Sequence, residues 1–154
     1  MTLWDWAVRA YGTEGVSETC LGLQDLHEQN VPLLLWAAWT ATTGRRPDAE
    51  TIEAAADTAR AWDLAAVAPL RAVRRRLRAP IPDIDDPARE AVRTQVKAIE
   101  LAAERHLLAA LEALAPAPDA APQPPITALA AAARTWGAVT PRPALVRLAE
   151  RLPA

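Results

Sequence analysis

Five arginines within eight residues, Arg71, Arg74, Arg75, Arg76 and Arg78, form the most conspicuous group in the sequence able to bind something. Such a run could hold phosphates, but it falls at the expected C-terminus of a long helix, where the helix dipole favours cations. Asp83, Asp85 and Asp86 follow at once. On a helical projection Arg75 and Arg76 face solvent, while Arg71, Arg74 and Arg78 flank an apolar stripe. Glu100 and Glu104 flank the stripe of the next helix in the same way. Arg–Glu bridges between those helices are therefore expected, with anion or nucleic-acid binding as the lesser reading.

A second polar group is Gln24, Asp25, His27 and Asn30, just ahead of the most apolar stretch of the chain. A helix N-terminus beside a histidine can hold an anion, and His27 could act as a base beside a substrate. No Ser, Cys, Asp or Glu stands at a spacing that makes a nucleophile–base pair. His27 projects near the middle of its helix's apolar arc, so it is expected to point inward as a hydrogen-bonded core residue. His106 has no second metal ligand three or four residues on, and the glycines are isolated, so neither a metal site nor a phosphate loop is expected. Cys20 sits on an apolar face, where its thiol is expected to be inert. No catalytic residue and no cofactor is assigned.

These groups need helices to position them. VPLLLWAAWTA, Val31 to Ala41, has no face suited to water, since no charged residue occurs between Glu28 and Arg45. A helix apolar all round is a buried one, and this one is too short to span a bilayer, which takes about 20 residues. Asn30 and Pro32 fit its N-cap and first turn, and Gly44 closes it. Around it we expect helices over Leu3–Tyr11, Val16–Gln29, residues 48–78 and Pro87–Leu114. The second should bury Val16, Cys20, Leu23 and Leu26. The third has the stripe Ile52, Ala55, Ala56, Ala59, Trp62, Ala66, Leu70, Val73, Leu77, with a bend at Pro69. The last has Val92, Val96, Ile99, Ala103, Leu107, Ala110 and Leu114, with Leu101 and Leu108 almost opposite. Trp4, Trp6, Trp36, Trp39 and Trp62 all fall on faces expected to be buried; an aromatic-lined pocket is the alternative to plain core.

The 154 residues suit one core, 51% of them hydrophobic, much of that alanine. Phe is absent and helix formers dominate, so the chain is read as all-α. A net charge of −2 gives no global attraction to nucleic acid or anionic membrane, and one cysteine excludes an internal disulfide. The opening MTLWDWAVRAYG has no export signal, so the cytoplasm is the expected location. APAPDAAPQPP, within residues 115–125, reads as a semi-extended linker. Beyond it Leu129, Ala133 and Trp136, then Leu145, Leu148 and Leu152, suggest two short helices. These either fold back on the Leu101/Leu108 side of the long helix or stay a loose tail.

The N-terminal pattern also resembles a known family. Trp4, Trp6, Tyr11, Gly15 and Val16, then Cys20-Leu21-x-Leu23-Gln24-Asp25, His27, and Val31-x-Leu33-Leu34-Leu35 with Trp39 resemble the signature of a small proteobacterial family known only as a domain of unknown function. Trp62, Pro69-Leu70-Arg71, Arg74, Arg75 and the 100–105 segment extend the likeness over roughly residues 3–114. The resemblance implies a fold and no activity. The expected molecule is a single bundle of about five helices around a buried central helix (residues 1–114), a linker (115–125) and one or two peripheral C-terminal helices (126–154). The leading expectation for function is a non-catalytic cytoplasmic module that binds another protein, through either the charged surface of its fourth and fifth helices or the C-terminal tail. The alternative is small-molecule or anion binding, or an unrecognised enzyme, at a polar cluster near the N-terminus of the central helix, around Gln24, His27, Arg71 and Glu100; the candidate ligand or partner residues are Gln24, Asp25, His27, Asn30, Arg71, Arg74, Glu100 and Glu104.

Overall fold

A computed structural model describes residues 1–137 and 139–153 of the protein. Residues 138 and 154, both in the expected C-terminal segment, lie outside the described residues. The described residues form α1 (Leu3–Tyr11), α2 (Val16–His27), α3 (Val31–Thr42), α4 (Ala49–Trp62), α5 (Ala68–Arg76), α6 (Asp86–Leu114), α7 (Ile126–Trp136) and α8 (Arg142–Arg151), with no strand among them. α3 is the centre. Every residue from Leu33 to Ala41 is buried, Trp36 and Trp39 among the most completely, so no face of it is left for water. Asn30 caps it by accepting from the Leu33 N–H at 3.0 Å, as the sequence suggests.

α1, α4, α6 and α7 pack around α3, and α2 and α8 close the end beside α1. The Leu3 N–H donates to Glu112 of α6 at 2.9 Å, placing a carboxylate at the positive end of α1. The proline segment is extended but fastened along the end of α3: the Ala120 and Gln123 N–H groups donate to the Gly44 and Ala41 carbonyls. Gly44 adopts φ 72°, and a Cβ there would run into the Ala120 carbonyl oxygen. That segment delivers α7 onto α3 and α4 rather than onto the Leu101/Leu108 side of α6. Leu129, Leu145 and Leu148 are fully buried in the same core as Trp36.

Three expectations about buried faces are corrected. The expected single helix over residues 48–78 is interrupted by a π-turn, Asp63–Val67, in which the Ala68 N–H reaches five residues back to the Asp63 carbonyl. Pro69 explains it: the ring lacks an N–H for the Ala65 carbonyl and would strike it, and a widened turn relieves the clash. The extra residue rotates everything beyond it. Beyond it the inward positions become Val67, Arg71 and Arg74 instead of Ala66, Leu70 and Val73, so Val73 is 42% exposed; Trp62, just ahead of the turn, is 38% exposed, its indole N–H donating to the Ala103 carbonyl of α6 at 2.8 Å. α6 is turned to match. Arg89, Glu100, Ala103, Leu107 and Leu111 face inward, while Val92 and Ile99, expected in the core, are exposed. Arg89 spends its guanidinium on the Leu77 and Arg78 carbonyls, capping α5.

The third correction lies at the end of α2. Its last turn closes with Glu28 in the left-handed region, φ 52°, and the Gln29 N–H on the Leu23 carbonyl, a Schellman-type ending. The helix therefore stops two residues early. His27 and Leu26, expected inside, are exposed, and Gln29 swings into the interior instead.

Candidate functional site

The register shift in α5 turns Arg71 and Arg74 toward α6, and six of the eight singled-out residues meet there. Glu100 is 7% exposed. It accepts from Arg74 Nε at 2.6 Å and Nη2 at 3.3 Å, a two-pronged bridge. Arg71 lies 3.5 Å from Glu100 and 3.8 Å from Glu104. Its Nη2 donates to Gln24 Oε1 on α2 at 3.0 Å, and Gln24 in turn donates to Asp25 at 3.1 Å. Asp25 receives Arg75 Nη2 at 2.6 Å, at the solvent edge. One connected network thus joins α2, α5 and α6. The expected Arg–Glu bridges are present, and Arg75, read as solvent-facing, is a member.

Two singled-out residues stand outside it. Asn30 is buried and serves as the cap of α3. His27 is exposed and does not join the network; it offers its backbone carbonyl to Gln29 Nε2 at 3.4 Å. Two residues that periodicity did not suggest border the same place. Asp63 comes in through the π-turn, and Gln29 through the early end of α2.

The charges are unequal in comfort. Burial, then the neighbouring Glu100 carboxylate, raises the Glu104 carboxyl above its usual range against the pull of Arg71 and Arg74. Burial likewise raises Asp63, opposed by Arg71 and Arg60. The hydrogen bond to Glu100 raises the Arg74 guanidinium further. On the α1 side, burial pushes the Cys20 thiol up to about 12, partly relieved by the adjacent Tyr11. A thiol protonated at neutral pH is no nucleophile. Burial, then Cys20 and Glu104, raise the Tyr11 phenol, although 44% of the residue is exposed; the shielding is at the hydroxyl end.

The network separates two spaces. Toward α1 lies an apolar groove of about 350 Å³ walled by Trp4, Val8, Tyr11, Leu35, Leu101 and Leu108. Leu21 and Cys20 extend it alongside Arg74 and Glu100, and Arg105 sits 4.9 Å above the Trp4 ring. On the other side, at the N-terminus of α3, lies a smaller polar cavity of about 210 Å³ bordered by Gln24, Gln29, Asp63, Arg71 and Trp136. Among the described residues no group of three or more His, Cys, Asp or Glu is placed to hold a metal. No helix among them is long and apolar enough to cross a membrane.

Searches of the curated proteins and of the solved structures each found no match. A family model does match, over residues 2–111, the span that holds α1 to α5, most of α6 and the whole charged network; the chain belongs to the family described as protein of unknown function (DUF2390).

Proposed function

We propose that the protein is a non-catalytic binding module of the cytoplasm whose partner is another protein, docked in the groove between α1, α2 and α6. The observation that supports this is the groove's wall. Val8, Leu21 and Leu101, from three different helices, are each more than half exposed and border the same apolar depression with Trp4 and Tyr11. Apolar side chains gathered at one concave place are the usual mark of an interface rather than of chance exposure. The groove suits the apolar face of an amphipathic helix, which offers anchors at three- and four-residue spacing. Nucleic acid is the poorer partner, because Arg71, Arg74 and Arg75 are engaged by Glu100, Glu104 and Asp25.

The test is capture from the native cytosol with the full-length protein and two variants, Val8→Asp and Leu101→Asp. Both positions are exposed, so the variants should melt within a few degrees of the parent. A protein enriched by the parent and lost with both variants is the expected result. Equal enrichment by all three, or none by the parent, overturns the reading.

A further inference from the structure

The small cavity at the start of α3 is bordered by a buried hydrogen-bond acceptor without a partner. Gln29 is only 5% exposed. Its Nε2 donates to the His27 carbonyl at 3.4 Å, and its Oε1 is buried and without a partner at a cavity wall. A buried acceptor left unpaired costs free energy, so it points to something that donates to it. Across the cavity the Asp63 carboxyl also accepts no hydrogen bond from the described residues. Of the donors nearby, Arg71 Nη2 is given to Gln24, Gln24 Nε2 to Asp25, and Trp136 Nε1 to the Glu28 carbonyl at 2.8 Å, while Arg71 Nε, without a hydrogen-bond partner, lies 3.5 Å from Glu100. Of the charged groups that border the cavity, two are carboxylates, Asp63 and Glu28, and one is a guanidinium, Arg71.

We propose that this cavity binds the primary ammonium head of a small amine, which donates to Gln29 Oε1 and Asp63 while its alkyl carbons lie against Val67, Leu107 and the Trp136 ring. A cavity of about 210 Å³ falls below the 300–1,000 Å³ typical of drug-sized ligands, so the ligand, or the part of it that enters, is a head group of a few atoms. The site is separate from the groove on the α1 side, and the two proposals stand or fall independently. The first turn of α3 disfavours a cation; Gln29 Oε1 and the Asp63 carboxylate outweigh it, since both border the cavity and meet the ligand directly.

The test uses the full-length ¹⁵N-labelled protein and three probes at fixed ionic strength: ethylammonium chloride, acetamide and sodium acetate. Ethylammonium should shift the Gln29 side-chain amide and the Trp136 indole N–H saturably, in the millimolar range that so few atoms permit. Acetamide should bind at least tenfold more weakly, and acetate should give no saturable shift at these signals. Gln29→Met, and separately the half-buried Asp63→Asn, should each weaken ethylammonium at least tenfold; the second variant keeps the test decisive if the first does not fold. Absence of a saturable ethylammonium shift, equal binding by Asp63→Asn, or tighter binding of acetate or acetamide overturns the proposal.

Discussion

At the level of single residues, the pairing of Arg71 and Arg74 with Glu100 and Glu104 is legible because flank positions on adjacent helices must meet if the helices pack. The exposure of His27 is not, because periodicity assigns an angle but not the residue at which a helix ends. The pairing does not make every member comfortable. Glu104 has its pKa raised by burial and by Glu100, so the folded state holds that proton to higher pH than the unfolded state does. A carboxyl raised in this way favours the folded state at low pH and works against it as pH rises through its folded pKa. Glu104→Gln, which keeps the shape and removes the charge, should therefore raise the melting temperature at pH 7. The gain should shrink as pH falls toward 4.5, the ordinary value of the group. Thermal melts of both proteins at pH 7 and pH 4 check this; a lower melting temperature for Glu104→Gln at pH 7 would show that the 3.8 Å bridge to Arg71 outweighs burial.

At the level of elements, α3 is readable outright, since an uncharged apolar run with an Asn cap has one place to go. Pro69 announces a disturbance, but only the structure shows that it takes the form of a π-turn and slips the register by one residue. That slip sets how deep the site lies: without it Leu70 and Val73 would face α6, and Arg71 and Arg74 would stay at the flanks of the stripe. The end of α3 depends on an equally local feature. Gly44 holds φ 72° and lies against the Ala120 carbonyl, whose own N–H donates to Gly44 at 3.0 Å. Gly44→Ala meets both a left-handed backbone, costing about 1–2 kcal/mol, and a loss of the linker hydrogen bond, about 1 kcal/mol. A destabilisation of about 2–3 kcal/mol is expected from the shift of the urea midpoint. A change under about 0.5 kcal/mol would mean that the proline segment is not anchored there.

At the level of the whole molecule, the matched span of residues 2–111 and the structural core differ in extent. The C-terminal helices read weakly in the sequence because each is short and alanine-rich, so their stripes do not say which surface they cover. In the structure α7 covers α3, whose burial on every side depends on it, and Trp136 holds the Glu28 carbonyl at the turn into the polar cavity. Leu129, Leu145 and Leu148 are completely buried. At about 1.5–3 kcal/mol each, their loss amounts to about 5–9 kcal/mol, comparable to the whole stability of a typical domain. A chain cut after Leu114 should therefore lose its cooperative thermal transition and bind a dye that reports exposed apolar surface. Adding a peptide of residues 115–154 should restore the transition, since the missing cover is then supplied without the covalent link. If residues 1–114 alone melt cooperatively within a few degrees of the full chain, α7 and α8 are an accessory layer and α3 is stable with one side bare.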